Sequence, residues 1–137
     1  MLGDVKQVIV MRTDLGMRKG KMIAQGANAS MGAILKSSYF YDDNLGEKEV
    51  RELRIKMSVE MYKWLYEGKF TKICVRVDSE EQLLDINQMG KGAGLPVALI
   101  TDSGKTEFGG VPTNTCLAIG PALSEDIDKI TGDLKLL

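Results

Sequence analysis

The 137-residue chain has the size of one compact domain, and 44% hydrophobic with 27% charged residues allows a sizeable core. The chain has no histidine, which excludes Ser-His-Asp and Cys-His mechanisms and histidine-containing zinc sites. It has only two cysteines, which excludes a four-thiolate zinc site. The net charge of −1 gives no overall attraction to nucleic acid. No stretch approaches the ~20 apolar residues of a membrane helix, and the N-terminus lacks a cleavable signal, so we expect a cytoplasmic location.

The first third of the chain predicts a strand and a helix. Residues 5–11 are apolar and β-branched, which is typical of a buried strand. A polar loop leads to residues 21–35, which are small and recur at helical spacing. Gly26 and Gly32 each cost such a helix about 1 kcal/mol relative to alanine. We therefore expect tertiary packing to hold this helix close against a sheet.

The middle of the chain predicts a loop and then helix. Residues 37–46 have the composition of a surface loop. Residues 47–68 carry apolar side chains at helical spacing and could form one long helix or two shorter ones. The apolar positions are Val50, Leu53, Met57, Met61, Trp64 and Leu65.

The second half of the chain alternates strands with helices. We predict strands over residues 71–77, 96–101 and 115–119. Ser79 and Gln82 form a capping-box pattern at the start of a helix that Gly90 would end. Ser124, followed by two acidic residues, marks the start of a last short helix.

This order of elements predicts an α/β fold in a single domain over residues 1–137. Alternation of strands and helices favours a largely parallel sheet. The link between the last two strands is short, so those strands should be antiparallel. We expect a mixed four-stranded sheet with helices on both faces, in three layers.

The two cysteines, Cys74 and Cys116, each lie inside an apolar segment. The sequence does not decide whether they form a disulfide. Buried free thiols fit a reducing compartment better.

Three polar loops carry the side chains that could do chemistry. The first, residues 12–21, holds four cations at a helix start, where anions bind readily, although a solvated loop has the same composition. The second, residues 102–106, could be an acid/base unit or an ordinary Asp-Ser-Gly turn. The third, residues 109–115, brings Thr113 and Thr115 to the last strand.

The sequence resembles the type-2 peptidyl-tRNA hydrolase family in several blocks. Residues 12–15 read R-x-D-L, and residues 17–25 read M-x-K-G-K-x-x-A-Q. Residues 94–106 contain G-L-P and then D-x-G-K-T. Residues 119–121 read I-G-P, and residues 127–136 read I-D-K-x-T-G-x-L-K-L. The resemblance spans nearly the whole chain and implies hydrolysis of the ester that joins a peptide to the 3′ end of tRNA.

The resemblance also implies which residues would form the site. The implied catalytic residues are Lys21, Asp102, Thr106 and Thr115. The implied substrate-binding residues are Arg12, Lys19, Gln25, Asn28, Gly104 and Lys105.

Three features depart from the family pattern. Asn28 stands where the family typically has a histidine, and residues 37–57 look longer than usual. The loop before the last strand leaves Thr113 as an alternative to Thr115.

The mechanism that these residues favour is direct attack by water, since no activated nucleophile is evident. Asp102 would orient or deprotonate the water or hold Lys21, and Lys21 would stabilise the oxyanion. We expect no metal and no cofactor, and peptidyl-tRNA as partner; a homodimer is left open. Two alternatives are a non-catalytic RNA-binding module and a protein-interaction domain that uses residues 37–57.

Overall fold

A computed structural model describes residues 1–43 and 50–137 of the chain. The strands are β1 (Val5–Arg12), β2 (Ser38–Asp43), β3 (Val50–Ile55), β4 (Lys72–Val77), β5 (Val97–Asp102) and β6 (Thr113–Leu123). The helices are α1 (Lys19–Leu35), α2 (Val59–Tyr62), which continues as a π-helical turn (Lys63–Glu67), α3 (Glu80–Gly92) and α4 (Ser124–Thr131). Within the described ranges no helix has the length and apolar character needed to span a bilayer.

Four strands form one mixed sheet in the order β4-β1-β6-β5. Strands β1 and β4 are parallel, whereas β6 is antiparallel to both of its neighbours, β1 and β5. The carboxyl ends of β1, β4 and β5 therefore lie at the same edge of the sheet as the start of β6. The predicted mixed four-stranded sheet is confirmed, including the antiparallel pair made by the short link.

Side chains that alternate along the strands pack into two apolar clusters, one on each face of the sheet. Val8 and Val10 point to one face, where they join a cluster with residues of α3 and α4. Ile9 and Met11 point to the other face and join alanines of α1. The period of two residues in a strand thus produces the predicted three-layer α/β/α arrangement.

Helix α1 lies close to the sheet at its small residues, as predicted. A Cβ atom added to Gly32 would be 3.1 Å from the Cβ of Ala98 on β5, closer than most carbon contacts. A Cβ atom added to Gly26 would be 3.7 Å from side-chain atoms of Ile9 and Met11, which is an ordinary contact distance. Gly32 is therefore the position that sets how near α1 can approach β5.

The predictions for residues 38–43 and 50–55 were wrong. Residues 38–43 are not a loop, and residues 50–55 are not helical, because β2 and β3 pair as a two-stranded antiparallel sheet. Aromatic residues at 39–41 favour a strand, and Leu53, at 48% exposed, shows that the apolar spacing there marks no buried helical face. The rest of the predicted loop, residues 44–46, and the first residues of the predicted helix, 47–49, lie outside the described residues.

The helical prediction is confirmed for the end of that segment. The Ser58 side chain accepts a hydrogen bond from the Met61 backbone N–H and starts α2. Met61 and Trp64 are then buried, as their spacing predicted. Trp64 donates its indole N–H to the Thr71 carbonyl, which fixes the end of this helix against the start of β4.

The predicted cap of α3 at Ser79 is confirmed, although the reciprocal bond to Gln82 comes from Asp78 and not from Ser79; the predicted stop is two residues early. Ser79 accepts a bond from the Gln82 backbone, and the Gln82 side chain accepts one from the Asp78 backbone. The helix runs past Gly90, where an added Cβ would be 2.6 Å from Val97. Gly90 is thus a packing residue and not a helix stop.

Both cysteines are free, but only Cys116 is buried. The prediction that Cys74 is buried was wrong. Cys74 alternates with Ile73 and Val75, which pack in the α3 and α4 layer, so it faces the α1 side of the sheet. Helix α1 does not cover β4 there, and Cys74 remains exposed.

A buried amide joins α1 to the sheet. Gln7 is fully buried, and its Nε2 donates to the carbonyls of Ser30 on α1 and Gly120 on β6. Its Oε1 accepts from the Ser30 hydroxyl. A buried polar group whose partner is removed destabilises the fold.

We predict that Gln7→Met lowers the free energy of unfolding by about 2–4 kcal/mol, because it leaves several buried polar groups unpaired. Urea unfolding measures this change. The exposed Gln88 on α3 provides the matched control, and Gln88→Met should shift the free energy by less than about 0.5 kcal/mol. Equal effects of the two substitutions would contradict the role of Gln7.

Candidate active site

Lys21 and Asp102 meet at the edge of the sheet where β5 ends. Lys21 lies in the first turn of α1, and Asp102 is the last residue of β5. The Lys21 Nζ is 2.8 Å from the Asp102 Oδ1. Their side chains are only 15% and 12% exposed. The structure thus brings together the amine and the carboxylate that the sequence predicted as a pair.

Asp102 accepts hydrogen bonds on both carboxylate oxygens. Oδ1 accepts from Lys21 and, over a longer 3.4 Å, from the Gln25 Nε2. Oδ2 accepts from the Gly104 backbone N–H at 2.9 Å. The bond from Lys21 and then the bond from Gly104 hold the pKa of Asp102 below its ordinary value. Asp102 is therefore a carboxylate at neutral pH.

Gly104 is required by the shape of the loop after β5. Its φ of +81° lies in the left-handed region, and an added Cβ would be 2.1 Å from the Val111 carbonyl oxygen. The Gly104 carbonyl in turn accepts from the Gly110 N–H. Only glycine can turn here and still donate its N–H to Asp102.

The loop after β5 also places Thr106 and Phe108 beside Lys21. The Lys21 Nζ donates to the Thr106 hydroxyl at 3.0 Å. The Phe108 ring centroid is 5.9 Å from the same nitrogen. Phe108 was missed by the sequence reasoning, although an aromatic residue within a polar, glycine-rich loop is a signal that could have found it.

Thr115 lies beneath this cluster and is completely buried. Its hydroxyl donates to the Gln25 Oε1 at 2.6 Å. Gln25 is itself buried, so its amide connects Thr115 to Asp102. The neighbouring Thr113 donates instead to the Val111 carbonyl. Of the two threonines, Thr115 is the one connected to the cluster.

The sequence grouped Gln25 with the substrate-binding residues and missed its bond to Asp102. Gln25 follows Lys21 by four residues, so both lie on one side of α1. That spacing is the signal that could have indicated a shared partner.

Arg12 pairs with residues outside this cluster. It is buried, and its guanidinium makes a two-bond ion pair with Asp14, at 3.0 and 2.7 Å. It also donates to the Asn114 carbonyl and contacts Glu80 at 3.4 Å. The bond from Arg12 holds the pKa of Asp14 below its ordinary value. Arg12 thus ties β1 to β6 and to the start of α3.

The remaining predicted substrate contacts are on the surface. Lys19, Asn28 and Lys105 are exposed. Lys105 lies in the loop between Gly104 and Thr106. Asn28 is seven residues after Lys21, which places it on the same side of α1, ~10 Å farther along the helix.

Cys116 is a fully buried thiol, which makes it a poor nucleophile. Burial raises the pKa of its thiol to about 11. Its sulfur donates to the Gln25 carbonyl at 3.3 Å. Within residues 1–43 and 50–137, no group of three Asp, Glu, Cys or His residues is arranged to bind a metal ion.

Comparison with known proteins identifies the family. The model of the family described as peptidyl-tRNA hydrolase PTH2 matches residues 5–137. The chain belongs to this family.

Curated relatives with the name peptidyl-tRNA hydrolase cover almost the whole chain. The one from Halobacterium salinarum is 44% identical over 133 residues, covering 96% of this chain and 99% of its own. The one from Methanocaldococcus jannaschii is 42% identical, covering 97% and 100%. The one from Methanopyrus kandleri is 39% identical, covering 96% and 97%. The resemblance seen in the sequence motifs is confirmed.

The lowered pKa of Asp102 predicts how stability depends on pH. The ionised carboxylate is favoured in the folded chain, so its contribution is complete above the ordinary aspartate pKa of about 4 and is lost as pH falls through the lower folded value. The difference in free energy of unfolding between the wild type and Asp102→Asn should be constant from about pH 5 to 7 and should shrink below about pH 4. Urea unfolding of both proteins from pH 3 to 7 measures it. A difference that already shrinks between pH 5 and 7 would contradict the lowered pKa.

Proposed function

We propose that this chain hydrolyses the ester that joins the peptidyl group to the 3′ end of tRNA. The observation that carries the proposal is the contact between Lys21 and Asp102 beside Thr106. Membership of the hydrolase family supports the reaction class. We place the reaction in the cytoplasm, with the tRNA acceptor end as the bound partner.

Each member of the pair keeps one hydrogen-bonding position for the reactants. An ammonium group has three N–H donors, and Asp102 and Thr106 accept two of those of Lys21. Within the described residues, the Asp102 Oδ2 accepts only from Gly104 and so retains one lone-pair position. We assign the remaining Lys21 donor to the oxyanion and the remaining Asp102 acceptor to the attacking water.

The proposed reaction then proceeds in two steps. The water oxygen, oriented by Asp102, attacks the carbonyl carbon, and the oxyanion is stabilised by Lys21 and the first amides of α1. Cleavage of the C–O ester bond then releases the ribose and the peptide. One proton of the attacking water passes to the ribose oxygen and the other is released to solvent, so the products are the ribose hydroxyl and the peptide carboxylate. Because the pKa of Asp102 is lowered, its main role is to hold the water and Lys21.

A covalent intermediate fits this cluster poorly. Thr106 contacts Lys21, but Lys21 donates to the Thr106 hydroxyl and to Asp102 at 2.8 Å, so in this geometry it does not accept the hydroxyl proton. Thr115 is buried and already donates its proton to Gln25. Direct attack by water remains the mechanism that the geometry supports.

We divide the other predicted residues by what they contact. Lys19, Asn28 and Lys105 are exposed and can meet the tRNA end. Gly104 fixes Asp102 through its N–H. Arg12 and Gln25 are buried, so we propose that they hold the loops and the carboxylate in place. Whether the chain forms a homodimer is left open, and sedimentation of the purified chain tests it.

We predict that Lys21→Ala lowers kcat by about 10²–10³, because it removes the cation at the oxyanion. Asp102→Asn should reduce kcat by at least about 10², because it removes the acceptor for water and the partner of Lys21. Release of free tRNA from N-acetyl-aminoacyl-tRNA by purified protein measures both rates. Circular dichroism confirms that the variants fold.

The control for this experiment is Lys91→Ala, at an exposed lysine on α3. It should keep the wild-type rate. Near-normal rates in Lys21→Ala or Asp102→Asn would refute the assignment. Salt-sensitive tRNA binding without ester cleavage by the wild type would instead support the non-catalytic RNA-binding alternative.

We further predict that Thr115→Val lowers kcat about tenfold with little change in KM, because the unpaired Gln25 amide no longer holds Asp102. Thr115→Ser keeps the hydroxyl and should restore most of the rate. Thr113→Val is the matched control, since the Thr113 hydroxyl donates only to the Val111 carbonyl among the described residues. A larger loss in Thr113→Val than in Thr115→Val would reverse the choice between the threonines.

A further inference from the structure

An apolar groove runs along the other side of α1, above β1 and β4. Its volume is about 750 Å³. Ile9 and Met11 form the floor, Ile23 and Met31 of α1 form one wall, and Trp64 and Phe70 form the other. The groove exists because α1 leaves this part of the sheet uncovered.

The groove is strongly apolar and open to a ligand. Ile23 is 74% exposed and Met31 is 64% exposed. Contiguous exposed apolar surface of this kind marks a binding site. The charged side chains that line it, among the residues the structure describes, are two lysines, Lys19 and Lys72. It therefore suits an apolar ligand that is neutral or acidic.

The end of the groove at Lys19 lies next to the candidate active site. Lys19 lines the groove, and Lys21, two residues later, lies on the opposite side of the same helical turn. Met22 of the groove and Phe108 beside Lys21 pack against one shared apolar cluster. Only the first turn of α1, ~10 Å across, separates the two.

We propose that this groove binds the nascent peptide of peptidyl-tRNA through its apolar side chains. This inference rests on the proposed hydrolase function. The peptide is covalently attached at the ester, so it must leave the site over a surface nearby. About three extended residues cross the end of α1, and the ~22 Å from Lys19 to Ile34 accommodates about six more.

The lining suits a ligand whose sequence varies. Met11, Met22 and Met31 all line the groove. Methionine side chains are flexible and polarisable, and surfaces rich in them accept different apolar partners. The two lysines would repel basic peptides. Binding of residues remote from the ester raises kcat/KM when that contact is kept in the transition state.

The test compares peptide lengths on the same tRNA. Substrates are N-acetyl-aminoacyl-tRNA and an N-acetyl-nonapeptidyl-tRNA with apolar residues at positions four to nine from the ester. We expect the wild type to cleave the long substrate with a kcat/KM at least about tenfold higher, the effect of burying one or two apolar side chains. Ile23→Asp and Met31→Asp should bring this ratio close to one.

Met89→Asp provides the matched control. Met89 is 48% exposed on α3, which covers the opposite face of the sheet, so this variant should keep the wild-type ratio. A wild-type ratio near one, or an unchanged ratio in both groove variants, would overturn the inference. Failure of the wild type to cleave either substrate would instead refute the hydrolase proposal, and the inference with it.

A second copy of the chain is the competing occupant. Sedimentation of the wild type, Ile23→Asp and Met31→Asp distinguishes it. A wild-type dimer that both variants dissociate, with the length ratio unchanged, would assign the groove to a dimer interface and overturn the peptide proposal.

Discussion

The ion pair between Lys21 and Asp102 is the interaction on which the rest of the site depends. It joins the first turn of α1 to the last residue of β5 and is mostly shielded from water. The bond from Lys21 at 2.8 Å lowers the pKa of Asp102, so this carboxylate is a weak base. This favours a reaction in which the protein orients water and stabilises charge, and does not form an acyl-enzyme. An ester needs less activation than an amide, and such a catalyst can suffice.

The geometry of the pair is set by backbone and packing positions around it. Gly104 aims an N–H at Asp102 and cannot be replaced without a clash with Val111. Gly32 lets α1 approach β5 closely. The buried Thr115 hydroxyl holds the Gln25 amide, which reaches the carboxylate. The catalytic proposal therefore involves a larger set of residues than those that would touch the substrate.

Helix α1 also divides two surfaces. The residues beside Asp102 line one side, and the apolar groove lies along the other. Both follow from the position of the helix, which covers β5 and β6 and leaves the α1 side of β4 open. The exposure of Cys74 has the same cause. A substrate with a charged tRNA end and an apolar peptide needs two chemically different surfaces close to one ester bond.

The sequence by itself determined the family, the order of the main strands and helices, and the pairing of Lys21 with Asp102, because family motifs and hydrophobic periods are local patterns. It predicted a loop and helix over residues 37–57, where β2 and β3 pair as a two-stranded sheet, because apolar residues three apart fit a helix even when a member such as Leu53 is exposed. Only the tertiary structure decided that Thr115 is connected to Asp102, that Arg12 is buried against Asp14, and that a groove lies over β4. Those outcomes depend on how far α1 reaches across the sheet and on which hydroxyl faces the buried amide, and these relations join residues distant in sequence.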